Sequence, residues 1–322
     1  MKRTLLFGFA LLLVMVGLRG LVLGADTIRF AAFGDYGDDD ADQAAVAALV
    51  VKLAPDFIIT TGDNSYGANP IDDSIGKYYG DYIGNYSGSY GPGSTTNRFF
   101  PSLGNHDWDD GGGIAAYTAY FTLPGNERYY DFVSGPVHFF VVGSDDKEPD
   151  GNTFDSVQGN WLKAALANST APFKVVYMHH PPYSSSSVHG SEKVMQWPFE
   201  EWGASAVLAG HDHTYERIFR DDNGDGTFMP YFVTGLGGRS LYRLPNSGFV
   251  KGSQVRYNDN YGTLLVTATD TTLTFEFHSV ENGGTLIDSY ALSIAGEPAP
   301  DPDPPSADES AAPPSGGCVL RR

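Results

Sequence analysis

The most constraining feature of the sequence is a polar cluster that directly follows a short apolar run. Residues 57–61 read Phe-Ile-Ile-Thr-Thr, which is typical of a buried strand, and residues 62–66 read Gly-Asp-Asn-Ser-Tyr. Ligands of α/β proteins bind at the carboxyl ends of the strands. Asp63 is therefore placed to bridge two cations with its two oxygens, and the Tyr66 phenol can reach one of them.

Four further polar clusters follow apolar runs in the same way. Together the five clusters offer carboxylate, phenol, amide and imidazole donors without a thiolate, a set that suits two hard to borderline cations such as iron, manganese or zinc. A single Gly-Asp pair also fits an ordinary turn, so the evidence for a metal site is the occurrence of all five clusters together. The other four are Gly34-Asp35-Tyr36-Gly37, Gly104-Asn105-His106-Asp107, Met178-His179-His180-Pro181-Pro182 and Gly210-His211-Asp212-His213.

In this order, the five clusters resemble those of the purple acid phosphatases and tartrate-resistant acid phosphatases, members of the calcineurin-like metallophosphoesterase superfamily. The resemblance extends over residues 27–292. Many relatives have Asp-x-His in the first cluster, whereas this chain has Asp35-x-Gly37 and supplies Tyr66 in the second. The resemblance implies an α/β fold in which two mixed β-sheets pack as a sandwich with flanking helices.

The resemblance also implies a ligand set for Fe(III) and a divalent metal, which is iron, zinc or manganese. Anionic oxygen donors suit the ferric ion, and an amide oxygen with neutral imidazoles suits the divalent one. Within His179-His180, the family's pattern of histidine, any residue and proline selects His179, with His180 as the alternative. Fe(III) takes Asp35, Tyr66, His213 and a bridging Asp63, and the divalent metal takes Asn105, His179, His211 and the same Asp63.

The reaction implied by the resemblance is hydrolysis of small phosphomonoesters by in-line attack of a metal-bound hydroxide, without a phosphoenzyme. His106, oriented by Asp107, would stabilise the transferring phosphoryl group or protonate the leaving group. His189, ten residues after His179, resembles the family's second substrate histidine. The alternatives are a phosphodiesterase or nucleotide hydrolase on the same metals, and an exported binding protein without catalysis.

The first 24 residues are typical of a secretory signal peptide. Lys2 and Arg3 precede an apolar run over residues 5–16, and small residues stand near Gly24. An uncleaved anchor is the alternative, but Arg19 interrupts the apolar span. We therefore expect a secreted, periplasmic or extracellular protein with no stable membrane insertion after cleavage.

Residues 25–296 are interpreted as one catalytic domain. Residues 297–322, rich in proline, alanine and acidic side chains, are interpreted as a disordered tail, and surface attachment through this tail stays open. The single cysteine, Cys318, allows no internal disulfide. A formal charge of −19 disfavours nucleic acid as a partner and requires a locally positive site for a phosphate ester. The oligomeric state is left open.

Several local predictions complete the interpretation. Acidic residues 38–42 are expected to cap a helix rather than to bind metal, and the tyrosines of residues 66–97 to pack against the sheet, with a substrate cleft as the alternative. Residues 221–226 read Asp-x-Asn-x-Asp-Gly and are interpreted as a hairpin turn, with calcium binding as the alternative, because Phe232 stands where a calcium loop needs Glu. His138 and His278 are interpreted as structural strand residues. Helices are predicted over residues 41–53, 114–121, 157–166 and 192–202.

Overall fold

The structure is a computed structural model that describes residues 27–110 and 112–294. The predicted signal peptide (1–24), the predicted tail (297–322) and Cys318 lie outside the described residues. Within the described ranges, no helix combines the length and the apolar character needed to cross a bilayer.

Thirteen strands alternate with short helices along the described chain. The strands are β1 (Ile28–Phe33), β2 (Phe57–Thr60), β3 (Phe99–Pro101), β4 (Tyr130–Ser134), β5 (Val137–Val141), β6 (Phe173–Tyr177), β7 (Ala206–Ala209), β8 (Tyr215–Arg220), β9 (Met229–Thr234), β10 (Ser253–Tyr257), β11 (Gly262–Ala268), β12 (Thr272–Ser279) and β13 (Thr285–Ser293). The α-helices are α1 (Ala41–Leu53), α2 (Lys77–Tyr79), α3 (Asn105–Asp109), α4 (Gly113–Tyr120) and α5 (Val157–Asn168). Shorter helical turns lie at Asp72–Gly76, Gly80–Tyr82, Lys193–Met195 and Glu281–Gly283.

The strands form two mixed sheets, as predicted. One has the order β13-β12-β11-β1-β2-β3, in which β1, β2 and β3 are parallel. The other has the order β10-β8-β9-β7-β6-β5-β4, in which β5, β6, β7 and β9 are parallel. The five polar clusters of the sequence follow β1, β2, β3, β6 and β7 at their carboxyl ends. The predicted fold class is confirmed.

Aromatic side chains fill the space between the sheets. Phe30 of β1 meets Phe139 of β5 edge-on with ring centroids 4.9 Å apart, and Phe139 also lies 5.5 Å from Phe57 of β2. Phe232 of β9 stacks on Phe275 of β12 at 4.5 Å. Such pairs add about 0.5–1.5 kcal/mol each to the stabilisation from buried area. This layer holds the carboxyl ends of both sheets in register.

A second apolar cluster covers the other face of the second sheet. Successive strand residues point to opposite faces, so Phe140 faces away from the inner layer that Phe139 fills. Leu162 and Leu166 of α5 are fully buried in this second cluster. The parallel strands of the second sheet are therefore buried on both faces, as parallel strands usually are.

The helix predicted over residues 192–202 is wrong. Only Lys193–Met195 forms a helical turn, and Pro198, which has no N–H to donate, lies in the following irregular segment. Trp197, Phe199 and Trp202 are instead buried in the second apolar cluster. Burial of three large aromatic side chains outweighs the modest helix propensity of the segment.

Residues 66–97 contain helical turns that were not predicted, because this part of the sequence has no regular hydrophobic period. Tyr79 is fully buried and packs against the sheet as predicted, with its ring 5.3 Å from that of Phe33 on β1. Tyr86 instead bonds within the segment, where its hydroxyl donates to Asp72 at 2.6 Å. Strand β10 was also missed, because all of its residues are half-buried and show no alternation.

Other local predictions agree with the structure. The Asp40 side chain caps α1 by accepting the Asp42 and Gln43 N–H groups, each at 3.0 Å. Residues 221–226 form the turn between β8 and β9. His138 lies on β5, where Nε2 is 2.7 Å from Asp131 Oδ2, and His278 lies on β12.

Replacing Phe139 with alanine tests the packing between the sheets. The variant removes a fully buried ring that touches both sheets, so the free energy of unfolding should fall by about 3–5 kcal/mol in urea denaturation. Val133→Ala on the adjacent strand is the control, because Val133 is 62% exposed and its loss should cost less than about 0.5 kcal/mol. Equal effects of the two substitutions would contradict this account of the core.

Candidate metal centre

The seven donors predicted from the sequence lie together where the parallel strands of the two sheets end. In the first group, the Tyr66 hydroxyl donates to Asp63 Oδ2 at 3.0 Å and lies 3.4 Å from Asp35 Oδ1. His213 Nε2 is also 3.4 Å from Asp35 Oδ1. Two carboxylates, a phenol and an imidazole nitrogen therefore face one point.

The second group shares Asp63 with the first. His179 Nε2 lies 3.4 Å from Asp63 Oδ2, 3.1 Å from Asn105 Oδ1 and 3.1 Å from His211 Nδ1. Asp63 and His179 are buried, whereas Asn105 and His211 are half-buried and open towards solvent. The same Asp63 oxygen thus contacts members of both groups.

The donor atoms fit a pair of metal ions. Ligand atoms bound about 2.0–2.2 Å from an ion lie roughly 3–3.5 Å from one another, which is the range found here. His179 Nδ1–H donates to the Thr61 carbonyl at 2.8 Å, so Nε2 faces the oxygens of Asn105 and Asp63 and is free to bind a metal once its proton is lost. The Nε2 proton satisfies these oxygens when no metal is bound, and a metal ion would take its place.

His213 is oriented by contacts outside the donor group. Its Nδ1–H donates to the Ser240 carbonyl at 2.5 Å, which leaves Nε2 for the site. The ring stacks on Tyr242 with centroids 3.9 Å apart and planes 11° from parallel. Such supporting contacts fix both the tautomer and the direction of a ligand histidine.

Three of the predicted donors have an uncommon backbone conformation. Asp35, Asp63 and His211 have φ angles of 59°, 53° and 68°, in the left-handed region that residues with a β-carbon rarely adopt. Backbone strain of this kind costs about 1–3 kcal/mol per residue and is found mainly at functional sites. Here it turns each side chain sharply inwards at a strand end.

A glycine precedes each of four donors, and none of these glycines has space for a β-carbon. A β-carbon at Gly104 would lie 2.2 Å from Asp63 Oδ1, and one at Gly210 would lie 2.6 Å from Asp35 Oδ2. At Gly62 it would lie 2.7 Å from His179 Nδ1. The glycines therefore allow the strand ends to approach closely enough for their side chains to meet.

In the absence of metal, the charged groups of the centre are balanced by one another. Burial opposes the charged form of His179, but the Asp63 carboxylate outweighs it and raises the pKa of His179 to about 10. Burial likewise opposes the Asp63 carboxylate, yet His179 and His106 hold the pKa of Asp63 well below its usual value. Burial and the carboxylates of Asp63 and Asp35 raise the pKa of Tyr66 well above its usual value. Tyr66 can thus become a phenolate only beside a strong positive charge.

His180 lies next to the donor group, beside His179 and His211. Its Nδ1 is 2.9 Å from the Ser144 hydroxyl, and its ring centroid is 4.4 Å from that of His211. Burial, followed by the neighbouring His179, lowers the pKa of His180 to about 3. His179, and not His180, makes the contacts with Asn105 and Asp63, which favours the choice drawn from the family's pattern.

His106 lines the pocket, but Asp107 does not orient it. Helix α3 places residues four apart on the same face, so the partner of His106 is Asp110, with Nδ1 and Oδ2 2.5 Å apart. The His106 ring also packs on Tyr66 with centroids 4.4 Å apart. The predicted orienting role of Asp107 is therefore wrong, because its side chain points into the protein.

Asp107 instead joins two of the loops that carry donors. Its carboxylate accepts the Gly104 N–H at 2.8 Å, and the Asn64 N–H at 3.0 Å and side-chain amide at 2.8 Å. Burial and the nearby Asp63 raise the pKa of Asp107 to about 7. Asp107 thereby fixes Asn105 relative to Asp63 without touching the pocket.

His189 lies at the mouth of the pocket on the loop formed by residues 184–190. Its ring centroid is 4.0 Å from that of His211, and its Nε2 is 3.4 Å from the Tyr242 hydroxyl. Asp212, between the two predicted ligands His211 and His213, anchors the loop by accepting from the Ser184 hydroxyl at 2.6 Å and the Gly190 N–H at 3.0 Å.

A second carboxylate holds the start of the same loop. Glu216 is fully buried and accepts the Ser185 N–H at 2.7 Å and the Ser185 hydroxyl at 2.5 Å. The pKa of Glu216 is raised by burial, although the serine hydrogen bonds oppose this. His189 is therefore carried by a loop that two buried carboxylates fix to the sheet.

Three pocket residues were missed by the sequence analysis, namely Arg239, Ser240 and Tyr242. All three follow β9, whose end has the glycine-rich run Gly235-Leu236-Gly237-Gly238. This is the same signal, an apolar strand followed by glycine, that identified the other clusters, but the run contains no metal-binding side chain. The pocket of about 200 Å³ is lined by Asp63, Tyr66, Asn105, His106, His189, His211, His213, Arg239, Ser240 and Tyr242.

Comparison with known proteins identifies the family of this chain. The profile of the calcineurin-like phosphoesterases matches residues 28–215, which include the strands and all five polar clusters that build the centre. This chain belongs to the calcineurin-like phosphoesterase family. The predicted resemblance is confirmed.

Within the calcineurin-like phosphoesterases, the chain is similar to purple and tartrate-resistant acid phosphatases. Probable purple acid phosphatase 20 of Arabidopsis thaliana is 27% identical over 247 residues, 68% of this chain and 55% of that protein. Human tartrate-resistant acid phosphatase type 5 is 26% identical over 249 residues, 65% of this chain and 73% of that protein. The chain spans about half the length of the first of these relatives.

A solved structure shows the same fold. The purple acid phosphatase from yellow lupin (Lupinus luteus) seeds superposes with a TM-score of 0.67 at 20% identity, covering 84% of this chain and 54% of that one. At this identity the likeness concerns the fold, and the chemistry rests on the residues described above.

Substituting Gly104 with alanine tests the close approach of the strand ends. The added β-carbon would displace Asp63, so Zn²⁺ affinity of the metal-free protein should fall about tenfold or more in calorimetric titration, with the circular dichroism spectrum retained. Gly80→Ala is the matched control, because the nearest neighbour of its new β-carbon would be 3.5 Å away. Unchanged affinity in the Gly104 variant would disprove the role given to this glycine.

Proposed function

We propose that this chain is a binuclear-metal acid phosphatase that hydrolyses phosphomonoesters. The observation that carries the proposal is the pair of donor groups that share Asp63. The purple and tartrate-resistant acid phosphatases among its relatives support this choice within the family. Small phosphate esters fit a pocket of about 200 Å³ better than a polymer does.

The chemical types of the donor atoms divide the proposed ligands between two metal ions. The group with two carboxylates and a phenol suits Fe(III), and the group with an amide oxygen and two imidazoles suits a divalent iron, zinc or manganese ion. When bound, the metals supply positive charge for the phosphate and activate water as the nucleophile. The proposed Fe(III) ligands are Asp35, Asp63, Tyr66 and His213, and the proposed ligands of the divalent ion are Asp63, Asn105, His179 and His211.

Two histidines act on the substrate in this proposal. His106 is held by Asp110 through Nδ1, which leaves Nε2 to donate to the transferring phosphoryl group or to the leaving oxygen. His189 stands across the pocket mouth beside Tyr242, where it can bind a phosphate oxygen. We assign Asp107 a positioning role, because its hydrogen bonds join the Asp63 and Asn105 loops.

Export is part of the proposal. Its support is the sequence of residues 1–24, which lie outside the described part of the chain. An exported enzyme works outside the reducing cytosol, and the seven donors proposed here include no thiolate that oxidation would damage.

Metal analysis with a visible spectrum is the first test of the centre. We expect two metals per chain, one of them iron, and a broad visible band from tyrosinate bound to iron that Tyr66→Phe abolishes. Persistent colour in the variant would exclude Tyr66 as the iron ligand. Two zinc or manganese ions without colour would contradict the iron assignment while leaving a metal-dependent hydrolase.

His106→Ala tests the catalytic assignment. The ring packs on Tyr66 and bonds to Asp110, and the contact of His106 with Asp63 is made by its backbone N–H at 2.9 Å, which alanine keeps. Both metals should therefore be retained while kcat on 4-nitrophenyl phosphate falls about 10²- to 10⁴-fold. His138→Ala is the matched control, because His138 bonds to Asp131 and Ser169 on β5 and should leave kcat unchanged.

The outcomes of this experiment separate the competing functions. Loss of metal from the His106 variant would show that this histidine supports the metal centre instead of the substrate. Faster turnover of bis(4-nitrophenyl) phosphate than of the monoester by the unmodified enzyme would favour a phosphodiesterase. Two bound metals with no hydrolysis of either ester would favour a binding protein.

A further inference from the structure

Arg239 is the one permanently charged cation among the described residues that line the pocket. Its guanidinium lies 4.7 Å from the centre of the Tyr66 ring and pairs through one nitrogen with Asp38. The side chain is 39% exposed, so it also faces the solvent through which a substrate enters. The chain has a formal charge of −19, so general positive charge of the protein does not account for a cation at the pocket.

The backbone of Arg239 is fixed relative to the metal centre. Its N–H donates to the Asp35 carbonyl at 2.8 Å, and the neighbouring Ser240 carbonyl accepts from His213 Nδ1 at 2.5 Å. A β-carbon at Gly237 would lie 2.3 Å from the Gly34 carbonyl oxygen, so this segment packs directly on the Asp35 loop. The position of the guanidinium is therefore set by the same loops that carry two proposed ligands.

The guanidinium has donors left for a ligand. It carries five N–H groups in a planar fork, and the pairing with Asp38 uses Nη1 only. Nitrogens that remain can donate to a planar carboxylate or to a phosphate, which is the pairing for which arginine is best suited. The pocket thus holds a second anion-binding element beside the two donor groups.

We propose that Arg239 recognises a second anionic group in the substrate, so that the preferred phosphomonoesters carry an additional carboxylate or phosphate on the leaving group. This inference rests on the proposed function, in which the metals bind the phosphate that is cleaved. The metals already supply positive charge for that phosphate. A second anionic group in the substrate would need a cation of its own to bind to so acidic a protein. Arg239 is then a specificity-determining residue.

Binding of two phosphonates that are not hydrolysed tests the inference independently of turnover. Phenylphosphonate carries one anionic group, and 4-phosphonobenzoate adds a carboxylate to the same ring. Calorimetry on the metal-loaded protein should show tighter binding of 4-phosphonobenzoate, and Arg239→Gln should reduce this preference about tenfold. Arg239→Lys keeps the charge without the fork and should retain part of the preference.

Two further variants make the comparison specific. Asp38→Asn removes the carboxylate that neutralises Arg239 and should increase the preference for 4-phosphonobenzoate several-fold. Arg220→Gln is the matched control, because Arg220 also pairs with an aspartate, Asp222, and also lies over a tyrosine ring, 4.4 Å from Tyr183, but outside the pocket. It should leave both affinities unchanged.

The outcomes distinguish this inference from the proposed function. Equal weakening of both phosphonates in Arg239→Gln would overturn the inference and leave Arg239 a brace for Tyr66. Kinetics on phenyl phosphate, 4-carboxyphenyl phosphate and pyrophosphate then show whether a carboxylate or a phosphate is the second group. Absence of hydrolysis of all three, with the binding preference intact, would refute the phosphatase and keep Arg239 as an anion-binding residue.

Discussion

The close approach of strand ends from two different sheets is the constraint on which the rest of this structure depends. Gly62, Gly104 and Gly210 leave no space for a β-carbon, and each stands immediately before a proposed ligand. A side chain at any of them would push apart loops that must meet within hydrogen-bonding distance. The aromatic layer between the sheets holds the strands in position, and the glycines let their ends converge.

Convergence of these ends creates a local charge problem. Asp35 and Asp63 are buried beside one another, and the imidazole of His179 converges on the same place. Carboxylates are expensive to bury without a partner, and metal ions are the partners that would satisfy all of the donors together. The left-handed backbone at the two aspartates adds to the cost that bound cations would offset.

The sequence predicted which side chains meet at the strand ends, because their signal is local. An apolar run followed by glycine and a polar residue marks a strand end, and parallel strands bring such ends to one edge. The partner of His106 was missed because residues 105–109 form a helix, which places Asp110 rather than Asp107 beside the ring. Arg239 was missed because its place depends on the pairing of β9 within the second sheet, a long-range contact that no local pattern records.

In the loop that carries His189, the residues that anchor the loop to the protein differ from the residues that face the solvent. Ser184 and Ser185 are buried and bonded to carboxylates of the sheet, whereas Ser187 and Val188 are exposed at its tip. Sequence change at the tip leaves the anchor and the proposed metal ligands untouched. In the proposed enzyme, a few surface substitutions at this tip would therefore change the leaving-group preference without the loss of metal binding that usually makes an active site resistant to change.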